Sequence, residues 1–254
     1  MSARKTVLSA IQPTGNMHLG NYFGAVKNWV DLQEKYTCYY GVVDYHAMTM
    51  PYDVQKLRTN TWDLITNLVA VGVNPENLFI QYIAQRFNFQ AGKEYFVLPD
   101  ALYTETPKIR STADPSKKMS KSAGEKHYIN VFADEETIRR QIKSAVTDSG
   151  DTPAGKMAEG VENLFELIKA TGNKTDYDRL LEDFHAGTLK YVDLKQVTAD
   201  NLVAMTSGFI EKKKEISSDK RKLKDQVKQS SFEIRKRAQE TVREVKELIG
   251  LMNV

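Results

Sequence analysis

The chain has 254 residues, of which 41% are hydrophobic and 27% charged, as in an ordinary globular protein with a sizeable core. Its single cysteine, Cys38, excludes an internal disulfide framework and a cluster of thiolate metal ligands, and suits a reducing compartment. No stretch has the length and apolarity of a signal-peptide core or a membrane span. We therefore expect a cytoplasmic protein.

The charge is distributed unevenly along the chain. Residues 211–254 contain 13 Lys and Arg against 8 Asp and Glu, whereas the rest contains 23 basic and 25 acidic residues. A basic C-terminal part is compatible with a polyanionic partner. Charge alone is equally compatible with a solvated helix surface.

The first half of the chain predicts alternating strands and helices. Strands are predicted for Thr6–Ile11, 38–43 and 78–81, and helices for 19–35 and for a long segment capped by Asp53. This order indicates right-handed crossovers and an α/β fold, a Rossmann-like parallel sheet with helices on both faces. Ligands of such sheets bind beyond the carboxyl ends of the strands.

The second half predicts helices only. Helical periodicity covers residues 134–146, 161–170, 177–184 and 193–214, and a long final helix carries an apolar stripe that includes Leu223, Val227 and Val242. We therefore divide the chain into an α/β domain, residues 1–144, and a C-terminal helical domain, residues 145–254.

A glycine-containing segment precedes the first predicted helix. Gly15 and Gly20 allow close approach of a ligand to the backbone, and a helix start offers free N–H groups to an anion. His18 and Asn21 can both donate to a phosphate oxygen. Taken alone, the segment is more readily interpreted as a tight turn with a surface histidine.

A lysine-containing loop lies a hundred residues further on. Residues 114–122 combine serines with Lys118 and Lys121, and the composition indicates a loop rather than a helix face. Lysines are compact cations on long stems, suited to stabilising a phosphate whose charge changes during reaction. The alternative is a solvated run of lysines.

Together, five segments resemble class I tryptophanyl-tRNA synthetases. They are residues 10–15 (Ala-Ile-Gln-Pro-Thr-Gly), 18–25 (His-Leu-Gly-Asn-Tyr-Phe-Gly-Ala), 43–47 (Val-Asp-Tyr-His-Ala), 118–122 (Lys-Met-Ser-Lys-Ser) and 145–149 (Ala-Val-Thr-Asp-Ser). The nucleotide signature of the family normally ends in His, and Asn21 takes that position here, as in the tryptophan branch.

The resemblance implies activation of tryptophan by ATP and transfer of the aminoacyl group to tRNA(Trp), with Mg²⁺ on the phosphates and no protein nucleophile. Catalytic roles would fall to His18, Lys118 and Lys121. His46 would lie beside the amino-acid pocket, the alternative being a hydrogen-bonded histidine at a strand end. By the same match, the ATP site would be lined by Gln12, Pro13, Thr14, Gly20, Asn21 and Ile109, with Lys118, Met119, Ser120, Lys121 and Ser122 at the pyrophosphate end.

The chain departs from the family at residues 81–82. Family members carry a connecting segment there, with an Ala-Ala-Asp motif that reads the indole N–H, a Gly-Glu-Asp-Gln motif for ATP and most of the contact of the homodimer. This chain passes directly from a predicted strand to a predicted helix. We therefore expect weak, poorly selective activation, as in a minimal or impaired enzyme, and question dimerisation.

Two other functions compete with this hypothesis. A nucleotidyltransferase of the same superfamily would share the two ATP motifs but not the long helical tail. A non-catalytic tRNA-binding relative would keep the fold but would not need both Lys118 and Lys121. The basic tail favours a tRNA partner over a small acceptor.

Overall fold

The computed structural model describes residues 4–13, 15–43, 53–79, 109–148, 150, 152–153 and 156–248. They form two compact units, one within Met1–Gly15, Trp29–Leu102 and Ile216–Val254, the other within Asn16–Asn28 and Tyr103–Glu215. This grouping reflects spatial proximity, and the functional division between residues 144 and 145 stays a prediction. None of the helices in the described ranges has the length and apolarity that crossing a bilayer requires.

The first unit contains a parallel sheet in the order β1-β2-β3, with β1 at Thr6–Ile11, β2 at Thr37–Val42 and β3 at Leu78–Phe79. In its register Thr6 pairs with Thr37 and Ile11 with Val42, so both strands end at the same edge. The predicted strands are confirmed as far as they are described. Gln81, the following joint and the helix predicted after it lie outside the described residues.

The first helical segment connects β1 with β2. It begins as α1, Leu19–Asn21, continues through a π-helical turn at Tyr22–Val26 and ends as α2, Lys27–Leu32. The prediction of a helix is confirmed, although the helix ends before residue 35. The π turn was not predicted, and such turns are frequent at functional sites.

Helices contact both faces of β2. The indole of Trp29 in α2 stacks on Tyr40 at 4.6 Å between ring centroids, and the Tyr40 hydroxyl donates to the Trp29 carbonyl at 2.9 Å. Successive side chains of a strand point to opposite faces, and the hydroxyl of Tyr39 accepts from Arg237 at 3.4 Å. Arg237 belongs to α8, Lys220–Leu248. The predicted Rossmann-like α/β arrangement is thereby confirmed.

A further helix among the described residues of this unit is α3, Val54–Ala70, which begins where the sequence predicts. The Asp53 carboxylate accepts from the Lys56 N–H at 2.7 Å, an N-cap hydrogen bond. Lys224 of α8 lies over the Trp62 ring of α3 at 5.5 Å. Leu223 and Val227 of α8 are buried, but Val242 is 52% exposed, so the predicted apolar stripe does not extend that far.

The described residues of the second unit are helical apart from loops and isolated bridges. They contain α4 (Glu135–Lys143), α5 (Glu159–Thr171), α6 (Lys174–His185) and most of α7 (Tyr191–Ser218), together with α1 and the π turn. These bounds confirm the four helices predicted for the second half. Asp134 caps α4 by accepting from the Thr137 N–H at 2.7 Å. The core includes Leu19, Phe23, Ile138, Ile142, Leu164, Leu167, Ile168, Leu180, Leu194 and Leu202.

Candidate functional site

His18 and Asn21 form two reciprocal hydrogen bonds at the start of α1. The Asn21 N–H donates to His18 Nδ1 at 3.3 Å, and the His18 N–H donates to Asn21 Oδ1 at the same distance. This is the geometry of a capping box, built here with an imidazole. Because Nδ1 accepts, a neutral His18 ring carries its proton on Nε2. A neutral N–H donor therefore stands at the start of this helix.

The segment before α1 is tied to the chain that follows the lysine loop. The Leu19 N–H donates to the Ile129 carbonyl at 2.9 Å, and the Val131 N–H donates to the Met17 carbonyl at 3.1 Å. His18 and Asn130 form an antiparallel bridge between these two hydrogen bonds. The helix start is thus held beside the chain that leads out of the loop.

The lysine loop is the turn of a short hairpin. The Ser111 N–H donates to the Lys117 carbonyl at 2.8 Å, and the Met119 N–H donates to the Ile109 carbonyl at 2.9 Å. Arg110 and Lys118 face each other as an antiparallel bridge. The predicted loop is confirmed, and a 3₁₀ turn at Lys121–Ala123 follows the hairpin.

Both predicted lysines contribute to the pKa of His18. Burial is the largest cause that lowers the pKa of His18, followed by the charges of Lys121 and Lys118, and the resulting pKa is about 4. His18 is therefore neutral at physiological pH. Burial also lowers the pKa of Lys121.

Gly20 lies where α1 approaches the loop closely. A Cβ at this position would lie 3.0 Å from His18 Cε1 and Nδ1 and 3.2 Å from Met119 Cβ. The two motifs, far apart in the chain, are therefore neighbours in the structure. Gly20 acts through this close approach, and no left-handed backbone angle is involved.

The remaining predicted site residues fall into three groups. Ile109 is buried and bonded through its carbonyl to Met119, and the hydroxyls of Ser120 and Ser122 share a hydrogen bond of 2.8 Å. Gln12 and Pro13 directly follow β1 and belong to the first unit. Thr14 and His46 lie outside the described residues. The second unit itself brings together His18, Gly20, Asn21, Ile109, Lys118, Met119 and Lys121.

Two residues of α5 support the site and were missed by the sequence analysis. A Cβ on Gly160 would lie 2.3 Å from the Val146 carbonyl oxygen, so only glycine lets α5 pack against residues 145–147. Asn163, which is 2% exposed, forms hydrogen bonds with the backbone of Arg110 and Ser111. A glycine and an asparagine inside an apolar helical pattern were the available signal.

Asp148 organises the loop that follows residues 145–147. Its carboxylate accepts from the Gly150 N–H at 2.9 Å, from the Thr152 hydroxyl at 3.0 Å and from the Tyr191 hydroxyl at 3.4 Å. The first two hydrogen bonds are the main causes that lower the pKa of Asp148. An ionised Asp148 thus links this loop to the first turn of α7.

Comparison with known proteins identifies a family. The family model described as tRNA synthetases class I (W and Y) matches residues 2–82 and 78–207. The tryptophan–tRNA ligase of Fusobacterium nucleatum is 26% identical over 325 aligned positions, which cover 98% of this chain and 98% of that protein.

Solved structures agree with this comparison. The tryptophanyl-tRNA synthetase of Mycoplasma pneumoniae superimposes with a TM-score of 0.83 at 20% identity, over 98% of each chain. The tryptophanyl-tRNA synthetase of Campylobacter jejuni complexed with ADP and tryptophan superimposes with a TM-score of 0.75 at 24% identity, over 97% of this chain and 100% of that one.

The comparison also bears on the missing segment. The 325 aligned positions exceed the 254 residues of this chain, so at least 71 positions have no counterpart in it. The two ranges matched by the family model meet at residues 78–82. That is where the sequence predicts the connecting segment to be missing.

Proposed function

This chain belongs to the class I tRNA synthetases for tryptophan and tyrosine, and on that premise we propose that it is a tryptophan–tRNA ligase. It activates tryptophan with ATP to the aminoacyl-adenylate and transfers the aminoacyl group to tRNA(Trp). The observation that carries the proposal is the close approach of the two motifs, since a Cβ on Gly20 would lie 3.0 Å from the His18 ring and 3.2 Å from Met119 Cβ of the lysine loop.

The chemistry requires positioning and charge stabilisation. The tryptophan carboxylate attacks the α-phosphorus of ATP, the bond between that phosphorus and the α,β-bridging oxygen breaks, and pyrophosphate leaves with the electron pair. No side chain needs to act as a nucleophile. His18 would donate through Nε2–H to a phosphate oxygen. Lys118 and Lys121 would stabilise the negative charge that grows on the leaving pyrophosphate.

We assign the rest of the ATP site to the residues that match the family. Gly20, Asn21 and the Ile109 backbone would contact the nucleotide, with Met119, Ser120 and Ser122 shaping the loop around its phosphates. By the same family match, we assign Gln12, Pro13 and Thr14 to ATP binding and His46 to tryptophan binding.

We propose that Mg²⁺ enters with ATP as part of the substrate. Among the described residues no group of three or more His, Cys, Asp or Glu side chains is placed to hold a metal ion. Magnesium in ATP-dependent enzymes is commonly held by substrate phosphates and water. The phosphates of ATP and water would therefore be ligands of the magnesium ion here.

The helical part from about residue 145 is proposed to bind tRNA. α8 carries ten Lys and Arg against five Asp and Glu, and such an excess attracts a phosphate backbone. On the side opposite the buried Leu223 and Val227, exposed basic residues lie among the exposed acidic residues Asp225, Glu240 and Glu247. We call the residues Arg221, Lys228, Phe232, Lys236 and Arg243 the basic side of α8. A cytoplasmic location accords with this partner.

Selectivity should suffer from the missing segment. A site that hydrogen-bonds the indole nitrogen can reject an analogue that lacks it by about 10⁴–10⁵-fold, and the family motif for this contact is missing from the chain. We propose that tryptophan is preferred over tyrosine by less than a thousandfold. The homodimer contact of the family would be lost with the same segment.

Amino-acid-dependent exchange of pyrophosphate into ATP tests the proposed function. We expect exchange with tryptophan, at least tenfold lower in Lys121→Ala and unchanged in Lys169→Ala, an exposed lysine of α5. A tryptophan preference above a thousandfold would contradict the selectivity argument. Binding of tRNA without exchange for any amino acid would favour the non-catalytic relative. Exchange without charging of tRNA would favour the nucleotidyltransferase.

A further inference from the structure

A buried asparagine holds the strand that pairs with the lysine loop. Asn163 Oδ1 accepts from the Arg110 N–H at 3.2 Å, and its Nδ2 donates to the carbonyls of Arg110 and Ser111 at 3.3 Å each. Asn163 is 2% exposed. One side chain thus provides hydrogen-bond partners for three backbone groups, the Arg110 N–H and the carbonyls of Arg110 and Ser111.

Two of these three contacts, both with Arg110, lie on the side of the segment that faces away from the loop. The Ile109 carbonyl and the Ser111 N–H bond to Met119 and Lys117, and the Arg110 N–H and carbonyl bond to Asn163. Alternate peptide groups of a strand point to opposite edges. The segment is therefore pinned between α5 and the backbone of the lysine loop, and Lys118 sits opposite its middle residue.

The helix that carries Asn163 is a firm anchor. Leu164 and Leu167 are completely buried, and Gly160 allows α5 to pack against the carbonyls of residues 146 and 147. The Arg110 guanidinium also reaches this helix, where it pairs with Glu162 at 2.9 Å. The backbone of Ile109, assigned above to the nucleotide, and the amide of Met119 are consequently held in a fixed register with α5.

We propose that Asn163 is a positioning residue for the ATP reaction. It fixes the Ile109–Ser111 segment and, through the backbone hydrogen bonds of that segment, the position of Lys118 and Met119 relative to the nucleotide. The inference rests on the proposed function. Asn163 contacts neither substrate, so it acts through the hairpin. Its loss should weaken ATP use while leaving the tryptophan pocket unaffected.

Two variants separate positioning from folding. Asn163→Leu keeps the volume and removes all three hydrogen bonds, whereas Asn163→Asp keeps the acceptor for the Arg110 N–H and places a carboxylate against two carbonyls. Asn67→Leu is the matched control, because Asn67 is equally buried, lies in α3 and donates to Asp63 of its own helix at 3.1 Å. If Asn163→Leu does not fold, Asn163→Asp carries the test.

The decisive readout is the separation of two KM values in pyrophosphate exchange. We expect the KM for ATP to rise at least fivefold in the Asn163 variants, and the KM for tryptophan to change less than twofold. A purely structural role would reduce the folded fraction and hence the rate, but would leave both KM values unchanged. Unchanged KM values in folded Asn163 variants, or an equal effect in Asn67→Leu, would overturn the proposal.

Amide hydrogen exchange gives a readout that does not depend on activity. Faster amide exchange at Ser111 and Met119 in Asn163→Leu, with α5 still protected, would support the positioning role of Asn163. If the unaltered chain shows no pyrophosphate exchange with any amino acid, the proposed function fails by itself. ATP affinity from equilibrium dialysis and amide exchange then decide this inference, and unchanged values for both in the variants would refute it.

Discussion

Gly20 and Met119 belong to motifs a hundred residues apart, and the backbone of one rests against the side chain of the other. An added Cβ on Gly20 would stand 3.2 Å from Met119 Cβ and 3.0 Å from the His18 ring. The distance is shorter than an ordinary carbon–carbon contact of about 3.5–4.0 Å. The relative position of the helix start and the lysine loop therefore depends on the absence of one methyl group.

Substitution of Gly20 by alanine should disturb this contact. At an open helical position, alanine stabilises relative to glycine by about 1 kcal/mol. At residue 20 the crowding should cancel that gain, shift His18 and Met119, and lower the rate of pyrophosphate exchange about tenfold. Gly208→Ala is the control, because no atom lies within 4 Å of its added Cβ in α7. Thermal melts and exchange rates of both variants check the expectation, and equal behaviour would contradict it.

The lowered pKa of His18 predicts a pH dependence of stability. In the folded chain the pKa is about 4, below the ordinary value of 6.5, so the unfolded chain takes up this proton first as the pH falls. The contribution is complete above pH 6.5 and disappears towards pH 4. A difference of this size corresponds to roughly 3 kcal/mol in the free energy of unfolding.

His18→Asn isolates this contribution. Asparagine is a good N-cap residue and does not titrate, so the helix start should be kept. Urea unfolding of both proteins from pH 7.5 to pH 4 should show a steeper loss of stability in the protein with His18. Parallel curves for the two proteins would mean that His18 titrates normally in the fold, and the proposed burial beside Lys121 would be wrong.

Most of the fold could be predicted because its helices and strands have signals in the sequence close to them. The apolar period of α5 and the cap residues Asp53 and Asp134 depend only on neighbours within a few positions, and these helices are confirmed. The π turn at Tyr22–Val26 has no such local signal. Val242 was misplaced because the apolar period of α8 continues into a part of the helix that is exposed.

The support of the site could not be predicted in the same way. His18 and Lys121 were predicted from residue chemistry and the family motif, and the charge of Lys121 contributes to the lowered pKa of His18. Asn163 serves Arg110, 53 positions away in the chain, and an asparagine inside a helix does not reveal which strand it will meet. Gly160 is explained only by carbonyls of another segment. Tertiary contacts of this kind have no periodicity.

Phe232 of α8 provides a test of the proposed tRNA contact. Its side chain is 61% exposed, and Lys228 and Lys236 lie one turn before and after it. Stacking of an unpaired base on an aromatic side chain contributes about 1–3 kcal/mol. We expect Phe232→Ala to raise the KM for tRNA in aminoacylation at least fivefold and to leave pyrophosphate exchange without tRNA unchanged. Val242→Ala, an exposed apolar residue of the same helix outside the basic side, should change neither. Equal KM values in all three proteins would place the tRNA elsewhere.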